Sequence, residues 1–222
     1  MKSMSTFTKR ILMSILGVVI CGMSVGMFKH AAFGVDPFQA LMSGLDAVIP
    51  IRFGTLYVIV NLLLLIFSLI MDRHKIGLAT FINLFLLGYV VEFSQAQCAK
   101  LFPTPGIGIR LLLFLAGLVI LSLASALYFT ADLGVSTYDA LALVWSERQT
   151  RIPFQFCRVL TDSVCVITGV FLCRLSGMSA AQIFGAVGIG TVVTAFFMGP
   201  LIAFFNRTVA RPLLGLPASA PQ

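Results

Sequence analysis

The sequence predicts an all-α fold: a polytopic membrane helix bundle of about six transmembrane helices in two inverted three-span repeats, each with a short re-entrant or interfacial helix. Three observations lead there. Of 222 residues, 59% are hydrophobic and 10% are charged, whereas a soluble domain is about 45–50% apolar and about 25% charged. The charges gather in short clusters between uncharged runs, the longest from Leu175 to Asn206. The chain also matches itself at fixed offsets, the mark of an internal repeat.

Roughly 20 apolar residues cross a bilayer as a helix. On that scale the spans fall at 10–31, 54–72, 77–98, 107–130, 156–175 and 181–205. The first run follows Lys9 and Arg10, as the core of a signal peptide would. It is long for one, and Lys29 and His30 stand where a small-residue cleavage site belongs. Orientation comes from the basic residues of alternate connections. Lys29, Arg52, Lys100, Arg110 and Arg174 fall on one side, and the other ten of the 15 Lys and Arg fall opposite. The richer side is the cytoplasmic one, so both termini are expected there. The tail RPLLGLPASAPQ from Arg211 has no periodic apolar face, and 207–222 is expected to trail in solvent as a disordered tail.

A shift of 100 residues pairs Arg10 with Arg110, Gly17 with Gly117, Gly34-Val35 with Gly134-Val135 and Ala40-Leu41 with Ala140-Leu141. A shift of 111 lays GLATFINLFLLG, Gly77 to Gly88, on GIGTVVTAFFMG, Gly188 to Gly199. The extra eleven residues fall around 175–186, where the uncharged run is too long for one span. The halves are 1–106 and 107–206. Each holds three spans, an odd number, so the second enters the membrane from the opposite side and the repeat is inverted. Inverted repeats are common in secondary transporters, whose sites lie between the repeats near the midplane.

The strings GVDPFQALMSGL and GVSTYDALALV, with GLATFIN and GIGTVVT, resemble the YczE/YyaS/YitT family of bacterial membrane proteins over about residues 10–206. The resemblance implies a multi-span protein of the bacterial cytoplasmic membrane and lends no substrate. The family's acidic position four residues after the motif glycine is matched by Glu92 after Gly88; its second-half counterpart here is Ala203.

After the first span, Asp36 precedes Pro37, and Gln39 lies three residues past Asp36; after the fourth, Asp139 lies three past Ser136. A capping side chain with a polar residue three further on, and Pro at the first helical position, marks a helix start. Each helix then runs about twelve residues, or about 18 Å, too short to cross. Either the two are re-entrant, with amide-rich N-termini facing a central cavity suited to an anionic group, or they lie flat at the two interfaces. The re-entrant form puts a solute site at Asp36, Pro37, Phe38 and Gln39 with Ser136, Thr137, Tyr138 and Asp139. Asn83 and Thr191 are added as polar groups within spans. Asn61, Thr161, Thr194, Asp162 and Glu92 are also polar there, the two acids at boundary positions as readily as lumenal ones.

The excess of 15 Lys and Arg over 8 Asp and Glu flanks apolar runs and forms no stripe, which speaks against nucleic acid. Five cysteines without a CxxC pair suggest no disulfide framework, and the two histidines, His30 and His74, fall on opposite faces. No HExxH, GxSxG or P-loop string occurs. No metal, cofactor or catalysis is expected. The partners expected are the lipid bilayer and a small solute, with a second copy of the chain often needed to enclose a pathway at this size. The favoured expectation is a small permease or exporter of a polar or anionic solute. The other is a non-transporting scaffold that binds lipid or another membrane protein.

Overall fold

A computed structural model describes residues 6–71, 76–134, 136–138, 140 and 154–217. The described residues form helices and no strand. They are α1 (Thr6–Ala31), α2 (Pro37–Val48), α3 (Phe53–Met71), α4 (Leu78–Leu101), α5 (Ile107–Ala131), α6 (Phe154–Leu175), α7 (Ala180–Ala186) and α8 (Ile189–Phe205). A π turn, Asn206–Ala210, and a last helical turn, Arg211–Leu213, follow α8. Helicity therefore continues past 206, and Ala210 is buried, so the tail begins later than its proline content suggests.

Five helical runs are long and apolar enough to cross a membrane: α1, α3, α4, α5 and Ala180–Leu213. The remaining expected span, 156–175, coincides with α6, a 22-residue helix whose sequence carries Arg158, Asp162 and Arg174. The run expected as one span at 181–205 is divided. Gly188 takes extended backbone as the N-cap of α8, and the residues that lengthen the second half become the seven-residue α7.

α1 and α5 lie antiparallel at the centre, and small residues set their approach. A Cβ on Gly17 would stand 3.0 Å from the Ala124 carbonyl oxygen, and one on Gly117 would stand 2.9 Å from the Phe28 ring. The buried Ser24 hydroxyl donates to the Gly117 carbonyl. Small residues at crossings let backbones approach closely, which is the main source of helix association in lipid. Each helix brings an arginine to the other's C-terminal end. Arg110 donates to the Ala31 and Ala32 carbonyls at 2.7 and 2.8 Å, and Arg10 lies 3.5 Å from Asp132. Ala32 and Asp132 both end their helices in the left-handed region, at φ 53° and 51°. α4 packs beside α1, α8 beside α5, α3 on α4 and α2 on α6.

Candidate functional site

The segment after α1 turns inward through Gly34, at φ +109°, and the segment after α5 through Gly134, at φ +106°. Glycine tolerates this backbone and side-chain-bearing residues rarely do. Gly34 lies on the start of α8: a Cβ there would stand 2.6 Å from both the Gly188 nitrogen and Thr191 Oγ1. Gly134 lies on the start of α4, where a Cβ would stand 2.5 Å from the Gly77 nitrogen and 2.8 Å from Thr80 Oγ1. The preceding carbonyls take matching hydrogen bonds, Gly190 N–H to Phe33 at 2.7 Å and Ala79 N–H to Leu133 at 2.9 Å. Gly34 and Val35 also donate to the Gly185 and Ala186 carbonyls at the end of α7, at 3.0 and 3.2 Å.

From Gly34 the chain runs to Asp36, which caps α2 by accepting from the Gln39 amide at 3.1 Å. Pro37 opens the helix and has no N–H to satisfy. Phe38, Gln39, Ala40 and Met42 are buried, while Asp46, Ala47 and Val48 are exposed, so α2 enters the protein by its N-terminal half. In the second half Thr137, Tyr138 and Ala140 are helical, and the Ala140 amide donates to the Ser136 carbonyl at 2.8 Å. Asp139 and Val135 lie outside the described residues.

The two helix starts meet. Phe38 stacks on Tyr138 with ring centroids 4.9 Å apart and planes at 21°, and Tyr57 meets Phe38 edge-on at 5.9 Å. Hydroxyl donors and oxygen acceptors surround the rings. Thr137 donates to Asn61 Oδ1 at 2.6 Å, the Asn61 amide donates to the Tyr57 carbonyl at 2.8 Å, and the Tyr57 hydroxyl donates to Asn83 Oδ1 at 3.3 Å. The Tyr138 hydroxyl donates to Asp162 Oδ1. Buried polar groups are costly unless paired, and this chain of bonds pairs them. Gln39 Oε1, in a residue only 2% exposed, has no hydrogen-bond partner among the described residues.

Phe38, Tyr138, Thr137 and Asn83 thus come together, Asp36 and Pro37 serve the start of α2, and Gln39 is buried on its first turn. Thr191 lies apart from the rings, against Gly34, with its hydroxyl buried and without a hydrogen-bond partner among the described residues. Glu92 is at an edge: it pairs with the exposed Arg52 at 2.9 Å. Among the described residues no group of three His, Cys, Asp or Glu is placed to hold a metal ion.

A family model described as a family of unknown function, DUF6198, matches residues 8–207. The chain belongs to that family. Two relatives from Bacillus subtilis, the uncharacterized protein YyaS and the uncharacterized membrane protein YczE, are 25% and 24% identical to it. The YyaS match covers 90% of this chain and 93% of the relative, and the YczE match 92% and 93%. An uncharacterized Haemophilus influenzae protein is 24% identical over 91% of this chain and 86% of its own length. No solved structure matches. These relatives bear out the YczE/YyaS resemblance, and with five spanning-length apolar helices they make this DUF6198 chain a multi-pass membrane protein.

The candidate site also includes residues outside the set the sequence suggests. Tyr57, Asn61 and Asp162 complete the polar ring. Asn61 carried a signal, as the one amide in the apolar run from Phe53 to Met71. Asp162 reads in the sequence as a boundary acid as readily as a lumenal one. Nothing local distinguishes Tyr57.

Proposed function

We propose that this protein is a small permease or exporter that moves a small polar solute by alternating access. It would have six spans in two inverted halves, and the solute would pass between the two short helices. The stacking of Phe38 on Tyr138 carries the reading, because helix starts from opposite halves converge there at the heart of the molecule. The crossed seating of Gly34 and Gly134 and the buried start of α2 favour re-entrant short helices over flat interfacial ones. Secondary transporters place their sites at such a junction between repeats.

Of the two solute classes expected, the neutral polar one has more in its favour. The Asp36 carboxylate already occupies the amide end of α2, where an anion would otherwise bind. The protein would act without catalysis, driven by an ion or solute gradient, in the inner membrane of a bacterium with both termini in the cytoplasm. Pairing with a second copy would help to enclose its path.

An untargeted comparison of solutes taken up or exported by cells with and without the protein tests this. The expected result is a small polar compound whose distribution changes, and whose change is lost in Phe38→Ala. Identical profiles would favour the second reading, a membrane scaffold that binds lipid or another membrane protein.

A further inference from the structure

The two halves repeat each other's seating at the glycine turns, yet differ where α3 and α6 stand. Gly88 of α4 is buried under α3: a Cβ there would stand 2.6 Å from Tyr57 Cβ and 3.1 Å from Gly54 Cα. Its counterpart by the 111-residue shift is Gly199 of α8, which is exposed, with no described atom within 4 Å of the same point. Around it Ala195, Phe196 and Phe197 are exposed too. By chain order α6 is the counterpart of α3 in the second half, lying between the short segment after Gly134 and the helix that carries Gly199. The Thr137–Tyr138 turn touches both, donating hydroxyls to Asn61 and Asp162. Its own side chains Val164, Ile167 and Phe171 are exposed. Among the described residues α3 packs along α4, whereas α6 does not pack along α8.

We propose that Gly88 and Gly199 are the two seats of one alternating closure: α3 rests on Gly88 in the state seen here, and α6 closes onto Gly199 in the other. For its purpose this rests on the alternating-access reading above, although its geometry stands on the unequal halves. Glycine at both positions fits a helix that arrives backbone-close and leaves again, because small residues provide the flat, shallow surface that close helix approach requires. Packed interfaces switch between discrete arrangements rather than deforming continuously. The crossed turns at Gly34 and Gly134, alike in both halves, are the fixed frame against which α3 and α6 exchange.

Electron–electron distance measurements on the full chain in lipid nanodiscs test the exchange without knowledge of the solute. One spin-label pair joins Ile167 to Phe196 across α6 and α8; a second joins Ile66 to Phe85 across α3 and α4. The expected result is two populations for the first pair, one at the separation in this structure and one shorter. Gly199→Leu fits the open space here without a clash, so the fold should persist while the shorter population disappears; Gly199→Ala should retain both. A single α6–α8 distance that Gly199→Leu leaves unchanged would overturn the proposal. So would a short distance between Phe196 labels on two copies, which would make the Gly199 face a dimer contact. Two populations in a protein that changes no solute in cells would sink the permease reading and leave this closure standing.

Discussion

Gly34 and Gly134, one hundred residues apart, hold nearly the same backbone angle, and each rests on a helix start from the other half of the chain. Both the left-handed backbone and the close approach exclude a side chain. Gly34→Ala and Gly134→Ala should therefore each destabilise the protein, by about 1–3 kcal/mol from backbone strain alone, with the clash in addition. Gly108→Ala, where nothing lies within 4 Å, should be nearly neutral. Unfolding in detergent titrated with denaturant checks all three.

Arg110 and Arg10 have equivalent places and unequal worth. Arg110 answers two carbonyls at the end of α1 from a part-buried position, and hydrogen bonds to charged groups contribute about 1.5–3 kcal/mol. Arg10 reaches an Asp132 side chain that is 84% exposed, and exposed pairs contribute about 0–1 kcal/mol. The same unfolding assay should find Arg110→Ala clearly more damaging than Arg10→Ala. Equal losses would show that the cap at Ala31 and Ala32 adds nothing.

The buried Thr137–Asn61 bond joins the helical turn after Gly134 to α3. A double-mutant cycle of Thr137→Val and Asn61→Leu should return a coupling of about 0.6 kcal/mol, the average for such bonds in membrane proteins, and at most about 1.7. Additive single effects would mean that the two side chains do not meet in the folded protein.

Orientation is open to a direct chemical test. The basic residues weight one side of the chain, which by their usual bias faces the cytoplasm. A cysteine placed at Lys100, at the end of α4, should react with an impermeant maleimide added outside intact cells, and one placed at Arg207 should not. The opposite pattern would turn the whole arrangement over.

Much of the glycine seating was readable in the sequence because the chain matches itself, letter by letter, at fixed offsets. Gly34 and Gly134, and Gly77 and Gly188, align by simple shifts and have matching neighbours. The aligned Thr80 and Thr191 differ: Thr80 accepts the Gly77 amide, and the Thr191 hydroxyl has no partner among the described residues. Similarity says which residues are alike, however, and not which ones touch. That Gly34 meets Gly188 rather than Gly77 depends on three-dimensional crossing, which no window of sequence contains. Tyr57 was hidden for the same reason: its value lies in Phe38 and Asn83, brought to it by two other helices. The surplus around 175–186 was visible as length, but its use was not. Those residues form a helix whose last carbonyls receive Gly34 and Val35.

The crossed turns also bear on how the chain is made. The Ala79 amide is answered by the Leu133 carbonyl, and the Gly34 and Val35 amides by carbonyls at the end of α7. During translation these donors have no protein partner until their acceptors have been made, and a donor left unmet away from water costs several kcal/mol. The Ala79 turn can close only once Leu133 exists, and the Gly34 turn only once α7 is delivered, in the last third of synthesis.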